Sequence, residues 1–359
     1  MDEHTGRDLS ALRRLPFSRS VIGAWRRLTA DAAPESRRTL VACSGGADST
    51  GLALALHAAR CPMVIAHVVH TMRPRAASLS DRDAVRKLAT RLDVPFVEAD
   101  LADEPAESVG TRNAEGAARR RRYAALLRMA RQHDCGFVAT GHHGGDQLES
   151  VLMALIRGSG TGGLRGLASS RRLAPGERPG HDVTLIRPML GVTHEQACAV
   201  CRFAEVGWCE DATNADESRM RSALRRRVIP ILEELRPGAS GRSTGAAATV
   251  ASAHELLQRE ARRVLRRSAV PSPRRDGSAG FSWERAALRE ASAVVLAQAL
   301  RLAFARLTRR EALDALPARS LDAAARAIRS RSGEPKRFEW PAGVRLSVER
   351  ETVVMVRIA

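Results

Sequence analysis

The tightest constraint on the fold lies between Thr39 and Ala59. A short apolar run, Thr39–Cys43, ends in Ser44-Gly45-Gly46-Ala47-Asp48-Ser49, and an apolar helix follows over Thr50–Ala59. Strand, tight turn and helix in direct succession open a βαβ unit. Paired glycines let backbone amides come close to a bound group, and the following helix turns its positive end toward the same point. Ser44 and Ser49 add hydroxyls, while Asp48 can hold a cation or orient a reacting group. The turn reads as a phosphate cradle, and it is not the Walker P-loop, because no Gly-Lys-Ser/Thr follows.

The same alternation continues along the chain. The pattern predicts strands at Met63–Val69, Val94–Val97, Gly136–Thr140 and Val183–Ile186. It predicts helices at Asp81–Leu92, Glu115–His133, Asp146–Ile156 and Thr193–Val206. This is the signature of an α/β fold with a doubly wound parallel sheet, Rossmann-like, whose ligands bind at the carboxyl ends of the strands. The glycine turn, the His67/His70 pair and Gly141-His142-His143 all fall at such ends, which argues for one site. A leading amphipathic helix carries Val21, Ile22, Trp25 and Leu28 on one side. Gly158–Gly166 and Ser169–Gly180 read as loops and Pro237–Gly245 as a linker. Beyond it come helices at Ala246–Arg267, Ala286–Leu307 and Leu321–Arg329, then a hairpin of Val344–Val348 and Thr352–Val356. The expected organisation is an N-terminal helical extension over 1–35, a nucleotide-binding domain over 36–236, and a smaller, mainly α-helical C-terminal domain over 246–359 ending in the β-hairpin.

Hydrophobic residues make up 44% of the chain, enough for a packed core, which excludes a disordered protein. No apolar run reaches the ~20 residues that cross a bilayer, and the acidic start Met1-Asp2-Glu3-His4 is unlike a signal segment. A cytoplasmic protein without membrane contact is the expectation. The net charge of +18 suits a polyanionic partner, since each arginine beside a phosphate releases a counterion. Arginine supplies nearly all of that charge, Lys87 and Lys336 being the only lysines. The six cysteines form no regular framework. Cys198-Ala-Val-Cys201, with Cys209 nearby, has metal-like spacing but no second pair, so these read as packed residues.

The loop Ser44–Ser49 resembles the pyrophosphate-binding loop of the ATP pyrophosphatase, or PP-loop, family, whose members activate a carbonyl-type oxygen with AMP. Further segments resemble one branch of it, the tRNA(Ile)-lysidine synthases. Thr140-Gly-His-His-Gly-Gly-Asp-Gln-Leu-Glu-Ser150 is similar to their His-His-x-x-Asp-Gln-x-Glu-Thr segment, and Arg157-Gly-Ser-Gly160 to their glycine loop. His67–Arg73 resembles their His-Val-x-His-x-x-Arg element, with Val69 where asparagine is usual. Glu115, Arg119, Arg122 and Tyr123 match their arginine helix. Arg187-Pro-Met-Leu190, Trp208–Asn214 and Arg221–Pro230 follow in the same order, with Ser222 where asparagine is usual.

The resemblance implies ATP and Mg2+ as cofactors, with Ser44, Gly45, Gly46, Ala47, Asp48 and Ser49 holding the nucleotide. It implies catalytic roles for Asp48, His143, Asp146 and Arg221, with Asp48 and Asp146 as magnesium ligands. Either His142 or His143 fits proton transfer or stabilisation of the leaving pyrophosphate, and that choice stays open. Arg119, Arg122, Arg157 and Arg225 are the expected RNA contacts, and Arg225 also fits a phosphate contact beside Arg221. The implied partners are a tRNA(Ile) with a CAU anticodon and free L-lysine, and a homodimer is left open. A thiolase of the same fold is the alternative. Such thiolases carry Cys-x-x-Cys just before the arginine helix, where this chain has Arg112-Asn-Ala-Glu-Gly-Ala-Ala118. A non-catalytic RNA-binding protein would not need the intact loop, and an amidotransferase would need a glutaminase arrangement that the sequence lacks.

Overall fold

The computed structural model describes residues 9–69, 74–102, 114–174, 182–209, 220–271, 280–309 and 315–358. His70, Arg73 and the segment 210–214 lie outside them, as do the Glu115 side chain and 175–181. The chain divides into two compact units, Met1–Ser159 with Gly163–Ala248, and Gly160–Gly162 with Thr249–Ala359.

The first unit opens with helix α1 (Pro16–Leu28), then β1 (Thr39–Ala42), α2 (Ala47–Ala58), β2 (Met63–Val69), α3 (Arg75–Arg91) and β3 (Phe96–Asp100). It continues through α4 (Ala114–Gln132), β4 (Phe137–Thr140), α5 (Gly144–Ile156), the single turn α6 (Thr161–Leu164), β5 (Ser170–Ala174), β6 (Val183–Ile186) and α7 (His194–Phe203). A helical run closes it: α8 (Met220–Ala223), a π-helical turn at Leu224–Val228, and α9 (Ile229–Leu235). The sheet order is β3-β2-β1-β4-β6-β5, parallel throughout except for β5 on β6. The order reverses between β1 and β4, so the crevice for a ligand lies beyond their carboxyl ends.

Alternation along the strands decides which helices cover which face. Leu40, Val64, Val138 and Leu185 pack with Leu126 and Met129 of α4. Their neighbours Val41, Ile65, Ala139 and Ile186 pack with α1, α2 and α7. Both faces are apolar, as a parallel sheet requires. Helix α1 joins this core: Phe17, Val21 and Trp25 are buried in it, and the Trp25 indole donates to Thr39 Oγ1 at 3.1 Å.

The helix α10 (Ala239–Arg267) begins where the sequence suggested a linker, because glycine and serine at 240–245 are tolerated in a helix anchored at its start. Glu233 supplies that anchor, accepting from the amides of Gly238, Ala239 and Ser240. The second unit then adds β7 (Ala269–Val270), β8 (Gly280–Glu284), α11 (Arg285–Arg289), α12 (Ala293–Leu307), α13 (Ala318–Arg329), β9 (Lys336–Trp340), β10 (Val344–Val348) and β11 (Thr352–Arg357). The expected hairpin is present as β10–β11, but within a five-stranded antiparallel sheet of order β7-β8-β11-β10-β9. Phe304 and Trp340 meet edge-on at 5.9 Å in its core. Among the described residues no helix is long and apolar enough to cross a membrane.

Candidate active site

The loop after β1 is built by local rules. Gly45 has φ +91°, a left-handed conformation that favours glycine. Helix α2 starts at Ala47 with Gly46 as its N-cap, so Asp48 and Ser49 stand in its first turn rather than before it. Ser49 Oγ accepts from the Ser44 amide at 3.1 Å and donates to Gly46 O at 3.0 Å. This buried hydroxyl braces the loop. The end of β4 abuts the same turn: a Cβ on Gly141 would lie 3.0 Å from Asp48 C and Ser49 N. His67 closes the other side, its Nδ1 2.9 Å from Cys43 O.

Beyond Gly141, the His143 side chain caps α5. Its Nδ1 accepts from the Gly145 amide at 3.0 Å, and Asp146 Oδ2 accepts from the His143 amide at 3.0 Å. The reciprocal bonds are a capping box, which fixes the imidazole. His143 Nε2 then lies 3.9 Å from Asp48 Oδ2 and 3.7 Å from Asp146 Oδ2. The π-helical turn brings in Arg225, whose guanidinium bonds Asp146 at 2.8 Å and Glu149 at 2.9 Å, while Arg221 bonds Glu149 at 3.2 Å.

A cleft of about 350 Å³ gathers Ser44, Asp48, Ser49, Arg122, His142, Asp146 and Arg225. Ala66, Val68 and Leu126 supply an apolar wall. The loop and the His142–Asp146 segment thus meet where the sheet order reverses. Arg221 reaches the site through Glu149. Arg157 caps the far end of α5 and is exposed. Arg119 lies behind Arg122, against Tyr123.

Charge and burial set the protonation states. Burial pushes His142 down to about 4, so its imidazole is neutral at physiological pH, and Thr140 Oγ1 is 2.8 Å from its Nδ1. Burial alone would raise Asp146, but His143, His142 and Arg225 outweigh it and hold the carboxyl below its ordinary range. Burial raises Glu149 despite its arginine partners. Cys201, on α7, is pushed up to about 12 by burial and donates to Ala47 O, so it is a packing thiol.

One residue of the site escaped the sequence. His194, at the start of α7, bonds Asp48 Oδ1 through Nδ1 at 3.0 Å, and this hydrogen bond, ahead of opposing burial, raises its pKa. Asp48, His143 and His194 form the one cluster of potential metal ligands among the described residues. Thr193 as an N-cap before a helix was the only local signal.

Comparison with known proteins identifies the family. The PP-loop domain family matches residues 21–232. The tRNA(Ile)-lysidine synthase of Bordetella pertussis is 37% identical over 276 residues, 75% of this chain and 80% of that one. The tRNA(Ile)-lysidine synthase of Bacillus cereus is 36% identical over 211 residues, 58% of this chain and 43% of that one. A U34-tRNA thiolase structure from Methanococcus maripaludis aligns with TM-score 0.49 and 15% identity, over 64% of this chain and 79% of that one. The chain belongs to the PP-loop ATP pyrophosphatase family and, within it, to the tRNA(Ile)-lysidine synthases.

Proposed function

We propose that this chain joins free L-lysine to C2 of the wobble cytidine of a tRNA(Ile) with a CAU anticodon, at the expense of ATP. The observation that carries the reading is the convergence of the loop Ser44–Ser49 with His142, Asp146 and Arg225 in one cleft beyond β1 and β4. A carbonyl oxygen is a poor leaving group until it carries AMP. In the first step O2 of the cytidine attacks the α-phosphorus of ATP, an O–P bond forms, and pyrophosphate leaves. In the second the lysine ε-amine forms the C2–N bond, AMP departs with the former O2, and the amine loses a proton. The product reads AUA in place of AUG.

Each residue has a role in this scheme. Amides of the loop and the first turn of α2 hold the pyrophosphate. Ser49 keeps the loop closed, and Ser44 offers its hydroxyl. Magnesium prefers oxygen ligands and usually takes one or two carboxylates plus substrate phosphates. The donors present fit it: Asp48 offers a carboxylate at the loop, while Asp146 is already engaged by Arg225 and the His143 amide. Bound there, the ion neutralises charge on the triphosphate. His143, held by its cap, points Nε2 between the two carboxylates and serves the departing pyrophosphate. Arg225 and Arg221 are placed to neutralise phosphate around the adenylated intermediate. The arginine-rich C-terminal region 246–359 holds the tRNA, and Arg157 contacts the tRNA backbone.

The test is incubation with ATP, magnesium and radiolabelled lysine, with tRNA(Ile) and tRNA(Met), both bearing CAU, as parallel substrates. Lysine on the first tRNA alone is expected. AMP left on the tRNA without lysine would move the second step to another nucleophile, and no ATP consumption with either tRNA would remove the reading.

A further inference from the structure

Tyr123 is the only tyrosine of the chain, and four arginines converge on it. The guanidinium carbons of Arg119, Arg122 and Arg171 lie 5.2, 5.5 and 5.3 Å from the centre of its ring. Arg119 also donates to the phenol oxygen at 3.3 Å, and Arg187 is among the charges that act on the phenol. Among the described residues none of the four pairs with a carboxylate, in contrast to Arg221 and Arg225 nearby. Arg187 is 5% exposed and keeps a buried Nε with no hydrogen-bond partner.

Such an arrangement is unfavourable by itself. Each guanidinium gives up water, and each repels the others. Attraction to the ring face offsets part of that cost but leaves the net charge in place. An anion among the four guanidinium groups would offset that charge. The cluster is also graded, from buried Tyr123 and Arg187 through half-buried Arg119 and Arg122 to exposed Arg171, so it opens outward. Its inner members Arg122 and Tyr123 line the same cleft as Ser44 and Asp48.

We infer that Arg119, Arg122, Arg171 and Arg187, arranged around Tyr123, form an oxyanion subsite for an RNA phosphodiester flanking the target nucleotide. The inference rests on the RNA-modifying reading above and adds to it where the strand is gripped beside the loop. Charge selects this ligand. Free lysine carries two ammonium groups and one carboxylate, and a surplus of guanidinium opposes its net positive charge. The triphosphate of ATP already has the glycine loop and the start of α2. A phosphodiester brings negative charge without a cation, and planar guanidinium forks match its two free oxygens.

The test uses the full chain without ATP and a synthetic anticodon stem-loop carrying CAU, with RNA affinity measured over a salt series. Arg171→Ala and Arg119→Ala remove one exposed and one half-buried member of the cluster. Arg26→Ala, an exposed arginine on α1, controls for loss of one charge. Each cluster variant is expected to weaken RNA binding by about tenfold and to lower the log–log salt slope by about one, with ATP affinity and the KM for lysine unchanged. The inference is overturned if wild-type chain binds the stem-loop and both cluster variants behave like Arg26→Ala. It is equally overturned if ATP affinity or the KM for lysine shifts in their place, which would make the cluster a nucleotide or amino-acid subsite. A wild-type chain that does not bind the stem-loop would overturn the RNA reading along with it.

Discussion

Both units bury arginine, and they do so in opposite ways. In the second unit Arg285, 3% exposed, donates to five backbone carbonyls: Ala327, Ile328, Ser330, Ser332 and Glu349. Those acceptors close the turn after α13 and the strand end at β10, so this charge holds chain segments together. In the first unit Arg187 bonds Ala168 O yet leaves its Nε unmatched, and it sits with Arg119, Arg122 and Arg171 around one phenol. A buried charge whose hydrogen-bonding capacity is fully used is architecture. One with capacity left over, beside a cleft, is prepared for something that arrives later. The contrast separates the scaffold from the site without reference to sequence motifs.

The largest effect is expected at Arg285. Arg285→Met strands several buried carbonyls and should cost about 3–5 kcal/mol of second-unit stability, read from urea unfolding. A loss below about 1 kcal/mol would show that water satisfies those carbonyls and would end the architectural reading. Asp48→Asn is the matching change in the site. It should lower ATP-dependent lysine incorporation about 100- to 1,000-fold while the melting temperature stays put. Wild-type activity in that variant would remove Asp48 from the chemistry.

Gly141→Ala tests whether the site depends on close backbone approach. Its Cβ would press on the backbone of Asp48 and Ser49 at 3.0 Å, so we expect a cost of about 1–3 kcal/mol together with weakened ATP binding by calorimetry. Alkali should distinguish the units, because all six cysteines lie in the first. Burial pushes Cys61 and Cys201 up from the ordinary 9.0 to about 12. A raised folded-state pKa means stability that is complete below about pH 9 and lost as pH climbs toward 12. First-unit stability should therefore fall by roughly 1 kcal/mol per pH unit for each of these two thiols in that window, with the second-unit transition steadier. The smallest effect is expected for Arg122→Met. Removing one unneutralised guanidinium should leave folding stability unchanged or raise it by up to about 1 kcal/mol, even as turnover falls. A destabilised variant would mean that Arg122 is structural after all.

Much of the site was legible because its parts are local. Ser44–Ser49 and His142–Glu149 are short segments whose conformation follows from a glycine turn and a capping box, and both were placed at strand ends from pattern alone. The α2 boundary was read three residues late, at Thr50, because glycine and serine disguise a first helical turn. The same residues made 239–245 look like a linker, when Glu233 caps a helix there. In the second unit, β7, β8 and β9 were missed because they are short, and a strand of two to five residues acquires its identity from the partner it pairs with.

Legible in the sequence alone are the glycine loop after β1, the doubly wound sheet and the order along the chain of the segments that meet in the cleft. These depend on backbone conformation and hydrophobic period within windows of a few residues to a helix. Only the tertiary structure decided which distant side chains share a site. His194 meets Asp48 across 146 positions, and Arg171 and Arg187 reach Tyr123 from different elements than Arg119 and Arg122. No local rule encodes such meetings: they are set by strand order and by how α4 and α7 pack on opposite faces of one sheet.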